Sequence, residues 1–169
     1  MRVGCYPGSF NPPTVAHLAV AEAAVARAGL DRVDLVLSRD ALGKEDIVAP
    51  AVGERRAVLA MVAATRPWLG VAVSDARLIA DVAAGYDAVI MGADKWAQVL
   101  DPQWYGGSVA ARDAAVARLP RVLVAPRAGQ WPPGVELLDV PEHLADVSAS
   151  AVRSGAPHAR GWALPEARR

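Results

Sequence analysis

Cysteine is almost missing from this chain, and so is any excess of charge. One residue of 169 is a cysteine, Cys5. No disulfide framework can form, which fits a reducing compartment, so a cytoplasmic location is expected. Cys5 lies in the apolar run Val3-Gly4-Cys5-Tyr6, where an unpaired cysteine is expected to be a small buried residue rather than a nucleophile. Eighteen basic residues balance 18 acidic ones. No global field gathers nucleic acid or an anionic membrane, and neither is expected as a partner; an anion must be caught locally. No apolar run reaches the roughly 18 residues of a membrane span. The longest candidate, Val15 to Leu30, is interrupted by His17, Glu22 and Arg27. The opening residues lack the charged region and long apolar core of a signal peptide. Lysine is scarce too, with only Lys44 and Lys95 against sixteen arginines, and both follow expected strands. Neither G-x-x-x-x-G-K-[ST] nor G-x-G-x-x-G occurs, which excludes a P-loop and the dinucleotide fingerprint.

What is present is a globular composition, 53% hydrophobic and 21% charged. The length fits a single domain over residues 1–169, which needs no disulfide or metal staple. Strand-like and helix-like segments alternate. Expected strands are Val3–Tyr6, Val33–Leu37, Gly70–Val73, Asp87–Met91 and Val122–Ala125. Expected helices are Thr14–Ala28, Glu54–Thr65, Ala76–Ala84, Asp94–Leu100 and Val109–Leu119, with a short one near Ser150. Gly29 should end the first helix. Arg39–Pro50 reads as a polar loop, and the tail after Gly155 as irregular. The alternation predicts an α/β fold, a five-stranded parallel sheet with helices on both faces. Continuously apolar strands agree with burial on both sides.

Ligands of such sheets bind beyond the carboxyl ends of the strands. The loop after the first strand is Pro7-Gly8-Ser9-Phe10-Asn11-Pro12-Pro13-Thr14-Val15-Ala16-His17. Gly8 and Ser9 allow a tight turn with exposed N–H groups, and the next helix aims its N-terminus at the same space, which suits an anion. Thr14 and His17, three apart, share a helix face, and both are expected to look into the pocket. A lone histidine here would read as a partly exposed surface residue; the loop as a unit reads as a site. Near the other end, Ser148, Ser150 and Arg153 open a short helix, offering hydroxyls and a bidentate fork for phosphate. Alone, that pattern is a common helix start. After the fourth strand, Gly92 permits close approach of a ligand, and Asp94 either accepts from a ribose or base or caps the helix. Trp96 and Trp104 read as packing rather than base-stacking.

GSFNPPTVAH resembles the signature of the nucleotidylyltransferase superfamily, G-[GS]-[FT]-[DN]-P-x-[HT]-x-G-H, with Thr14 and His17 at its two key positions and Ala16 in place of its glycine. Val147-Ser148-Ala149-Ser150-Ala151-Val152-Arg153 resembles the late I-S-S-[ST]-x-[IL]-R motif, with Ala149 for the middle serine. The resemblance spans Met1 to about Glu166. It implies a Rossmann-like three-layer sandwich and an adenylyltransferase that moves AMP from ATP to a phosphomonoester and releases pyrophosphate. It also implies Mg²⁺ held mostly by the phosphates, with no metal-ligating residues of the chain's own. By resemblance, Gly8, Ser9, Phe10, His17, Gly92, Asp94, Ser148, Ser150 and Arg153 bind the nucleotide. Ser9, Thr14, Lys44 and Arg56 meet the acceptor, with Arg56 favoured over Arg55. His17, Thr14, Lys44 and Arg153 are the catalytic set. Met91-Gly92-Ala93-Asp94 and Pro126-Arg127-Ala128-Gly129 are similar to nicotinate mononucleotide adenylyltransferase. Tyr6-Pro7-Gly8-Ser9-Phe10 is similar to phosphopantetheine adenylyltransferase. Nicotinate mononucleotide is the favoured acceptor, 4′-phosphopantetheine the alternative, with a cytidylyl donor or a non-catalytic nucleotide-binding module behind them. Both families commonly form homo-oligomers.

Overall fold

A computed structural model describes residues 1–39, 49–127 and 129–168. Six parallel strands, β1 (Val3–Gly8), β2 (Arg32–Ser38), β3 (Leu69–Ser74), β4 (Ala88–Gly92), β5 (Arg121–Ala125) and β6 (Glu136–Leu137), form one sheet in the order β3-β2-β1-β4-β5-β6. Helices α1 (Val15–Ala28), α2 (Val52–Ala64), α3 (Ile79–Val82), α4 (Ala93–Leu100), α5 (Val109–Ala117) and α6 (Ala149–Arg153) connect or follow them. The five-stranded expectation is short by one. β6 is two residues long and follows a loop rich in Gly and Pro, so it has no visible period; it pairs Glu136 with Leu123 and Leu137 with Val124. The third helix is shorter than the expected Ala76–Ala84, because Ala76 N–H turns back to Ser74 Oγ (3.1 Å) and Leu78 stays extended.

Strand alternation sorts the core into two layers. Tyr6, Leu35, Leu37, Ile90 and Leu123 pack with Val20, Ala24, Leu59 and Val62 from α1 and α2. Cys5, Val36, Val89, Met91 and Val124 pack on the other face with Val82 and Val99 from α3 and α4. Cys5 is fully buried, and desolvation, with the nearby Asp34 charge second, pushes its thiol up to about 12, so it stays protonated and inert at neutral pH. Asp34 is itself buried, held by Arg32 (2.8 Å) and the Tyr86 hydroxyl (3.2 Å). Gly70 leaves room for that carboxylate, which any Cβ there would strike. Gly29 ends α1 in the left-handed region at φ 60°. Among the described residues no helix is long and apolar enough to cross a membrane.

The sheet is open at one place and the tail closes over another. β1 pairs with β2 over six residues but with β4 only at Gly4–Ala88 and Cys5–Val89. The sheet therefore opens between β1 and β4 toward their carboxyl ends, at the point where strand order reverses. The tail straps the loop after β1. Val15 N–H donates to Trp162 O (2.9 Å), Leu164 N–H donates to Pro13 O (3.0 Å), and Glu166 pairs with Arg66, just after α2 (3.2 Å).

Candidate active site

The loop leaving β1 is tightly determined. Phe10 takes a left-handed backbone (φ 44°), uncommon for a bulky residue, and buries its ring to 3% exposure beneath Gly8. A Cβ on Gly8 would lie 2.9 Å from that ring, so the position needs glycine. The Phe10 ring meets Tyr6 edge-on at 5.5 Å and His17 at 5.0 Å. From α2, Arg55 Nη1 donates to Ser9 O at 3.0 Å. Arg56, favoured from the sequence, is exposed, and Arg55 is the residue that reaches the loop. Helix α2 begins at Val52 rather than Glu54, and each residue of shift rotates a side chain by about 100°.

His17 stands in the first turn of α1 with its ring fixed. Thr14 N–H donates to Nδ1 at 2.9 Å, and Thr14 Oγ1 lies 3.0 Å from the same atom. A backbone N–H can only donate, so Nδ1 is the acceptor and the neutral ring carries its proton on Nε2. Thr14 is only 1% exposed and is not part of the main cleft wall, which corrects the expectation that both residues look into it. It borders a side pocket of about 80 Å³ and orients the histidine.

The opening between β1 and β4 is a cleft of about 720 Å³. Gly8, Ser9, Phe10, His17, Gly92, Asp94, Ser148, Ser150 and Arg153 all line it, so segments from both ends of the chain meet there. Arg153 links them: Nη1 donates to Asn11 O at 2.6 Å and Nη2 to Ser150 Oγ at 3.0 Å. Ser148 caps α6, its Oγ accepting from Ala151 N–H at 3.1 Å. Lys44 lies outside the described residues.

Arg127, after β5, is a cleft residue whose segment the sequence marks by family likeness but to which it gives no role in the site. It lines the cleft, sits 3.5 Å from the Asp94 carboxylate and donates to Val147 O at 3.4 Å. Its signal is the Pro-Arg-x-Gly segment, whose proximity to Asp94 only the fold reveals. Asp94 thus faces Arg127 from the first turn of α4. Lys95, next to it, also lines the cleft, with Nζ donating to Gln98 Oε1 at 2.6 Å. The scarcity of lysine marks it without giving it a role. The tryptophans divide: Trp96 packs on the core, whereas Trp104 forms cleft wall. A smaller lobe of about 60 Å³ continues the cleft past Trp104, toward Ser38 at the end of β2 and Arg77-Leu78-Ile79 after β3.

The site therefore presents Arg127, Arg153, Lys95, one fixed imidazole N–H and two serines to a space beside a glycine-lined loop. Such a set suits a polyphosphate. Among the described residues no group of three His, Cys, Asp or Glu side chains could hold a metal ion.

A search of the curated proteins finds no match. Among solved structures, Plasmodium falciparum nicotinic acid mononucleotide adenylyltransferase complexed with APC is similar in fold, with a TM-score of 0.72 and 13% identity, over 97% of this chain and 90% of that one. Residues 5–155 match the Cytidylyltransferase-like family. With that match over most of its length, and both signature segments facing one cleft, the chain belongs to the cytidylyltransferase-like family and is a nucleotidyltransferase.

Proposed function

We propose that the chain transfers AMP from ATP to nicotinate mononucleotide with release of pyrophosphate. One observation carries the reaction type: Arg153 joins the late serine motif to the loop after β1 across a single cleft, beside a fixed imidazole donor. The fold neighbour, a nicotinic acid mononucleotide adenylyltransferase in complex with APC, supports the reading of donor and acceptor.

A phosphomonoester is ionised at neutral pH and needs no general base. Its oxygen bonds to the α-phosphorus, the α–β bridging bond breaks, and the electron pair leaves with pyrophosphate. Catalysis is then positioning plus stabilisation of charge. His17 Nε2–H is assigned to the α-phosphate. Ser148, Ser150 and Arg153 take the β- and γ-phosphates, and Gly92 and Asp94 lie on the nucleoside side. Lys44 is expected to bridge donor and acceptor, and Arg55 holds Ser9 so that the loop keeps its shape. Asp94 and Asp101 offer carboxylate oxygens at the cleft, a sparse set that fits Mg²⁺ arriving on the triphosphate with its waters. When bound, the ion would neutralise the leaving pyrophosphate.

Pyrophosphate release is to be measured with ATP and Mg²⁺, using nicotinate mononucleotide and 4′-phosphopantetheine in separate reactions, then CTP in place of ATP. Turnover with ATP and the mononucleotide alone is expected. Turnover only with 4′-phosphopantetheine, or only with CTP, replaces the acceptor or the donor. Silence throughout, with ATP still bound, leaves a binding module.

A further inference from the structure

The two lobes of the cleft share six lining residues: Pro7, Gly8, Ser9, Lys95, Gln98 and Trp104. Only one of these carries a charge. Arg127 and Arg153 border the large lobe alone, and Arg77 borders the small lobe alone. Among the described residues, Lys95 is the charged side chain common to both.

The junction has a defined chemical meaning if the large lobe takes the triphosphate and the small lobe the body of the acceptor. The acceptor phosphate and the α-phosphate must meet where the lobes join, and both are anions. Bringing them to bonding distance costs repulsion that a cation between them removes, and this counts most in a recess shielded from water. Lys95 is half-buried in the first turn of α4, and its Nζ is held by Gln98, one helical turn on and itself a junction residue. Its position follows from the strand β4 that ends at Gly92 beside the opening of the sheet.

We propose that Lys95 is a catalytic residue that touches both phosphates at the moment of transfer, an inference that rests on the nucleotidyl-transfer reading above. The acceptor oxygen forms its bond to the α-phosphorus, the α–β bridging bond breaks, and pyrophosphate takes the electron pair. No proton moves, and Lys95 keeps its own throughout. A lysine suits the task because its ammonium is a compact charge on a flexible stem, able to follow the phosphorus as it passes from one oxygen to the other.

The test compares wild type with Lys95→Met, Lys95→Gln and Lys95→Arg. Pyrophosphate release is followed with ATP, Mg²⁺ and nicotinate mononucleotide or 4′-phosphopantetheine, whichever the wild type uses, and ATP binding is measured without acceptor. Removing one preorganised donor of this kind costs about 10²- to 10³-fold in kcat, and that loss is expected for Met and Gln alike. ATP binding should change less than about tenfold, and Arg should regain at least a tenth of the wild-type rate. Gln keeps a polar partner for Gln98, so it separates lost charge from lost structure should Met fail to fold. A folded Gln variant within threefold of wild-type kcat overturns the role of Lys95 and leaves the reading of the reaction intact. A loss confined to ATP affinity, with kcat unchanged, overturns it as well, since that is uniform ground-state binding. A wild type that releases no pyrophosphate with either acceptor overturns the reaction and the role together.

Discussion

The two lobes of the cleft are built differently. In the large lobe four polar side chains are tied to main chain: His17 to Thr14 N–H, Arg153 to Asn11 O, Ser148 to Ala151 N–H and Arg127 to Val147 O. In the small lobe one such tie, from the Tyr105 hydroxyl to Val99 O (2.8 Å), stands beside the Lys95–Gln98 pair that both lobes share, and the Arg39–Asp75 pair outside it is exposed at both ends. Backbone anchors fix geometry before a ligand arrives, whereas side-chain pairs near solvent are worth little and rearrange readily. The chemical step common to the family needs the first kind of wall. Under the proposed reaction the small lobe is the acceptor end, and a readily rearranged wall there would let one acceptor be told from another.

The sharpest way to break this comparison is at His17. His17→Ala should lower kcat about 10²- to 10³-fold, from loss of a preorganised donor to the α-phosphate. A loss under about tenfold, roughly 1.4 kcal/mol, would remove it from the transition state, read by steady-state pyrophosphate release. Thr14→Val should cost less, about three- to tenfold in kcat, since the backbone N–H still holds Nδ1; that is the cost of one neutral hydrogen bond. The two effects should not add, because Thr14 acts through His17, and the double variant should match His17→Ala. Arg77→Ala addresses the other lobe. It should raise KM for the acceptor about threefold to tenfold, with KM for ATP within twofold. An equal rise in both would erase the distinction between lobes.

The smallest effect lies outside both lobes. Glu136 of β6 is clamped by Arg121 (2.7 Å) and Arg27 (2.7 Å). These hydrogen bonds, Arg121 first, draw its carboxyl from the ordinary 4.5 down to about 2. The lowered value means the clamp's stabilisation is complete above about pH 4.5 and lost as pH falls toward about 2. The site is largely solvated, so salt should weaken it. Glu136→Gln should lower Tm slightly at neutral pH, flatten its acid dependence and leave turnover unchanged. Thermal unfolding between pH 7 and pH 3 checks this.

The alternation of strands and helices, the end of α1 at Gly29 and the loop Gly8–His17 are legible in the sequence because each depends on local pattern. β6 is not, being two residues joined to the sheet by long-range pairing alone. The choice between Arg55 and Arg56 turns on where α2 starts, and Val52-Gly53 carries no capping signal to mark it. For Thr14, spacing sets a shared helix side with His17 but not depth of burial, so its place behind the histidine is invisible in the sequence. Arg127 and Trp104 belong to the cleft through contacts between segments far apart in sequence, and no local pattern encodes those.

The strap over the first loop has a bearing on how the protein is made. The loop after β1 emerges early in synthesis, while its clamp, Trp162 and Leu164, emerges some 150 residues later. A chain halted between Arg153 and Trp162 contains both cleft-lining segments yet lacks the hydrogen bonds that hold the entrance to α1. Any ligand that needs the strapped loop is then bound in full only by chains in which Trp162 and Leu164 have docked, and binding it stabilises that docking.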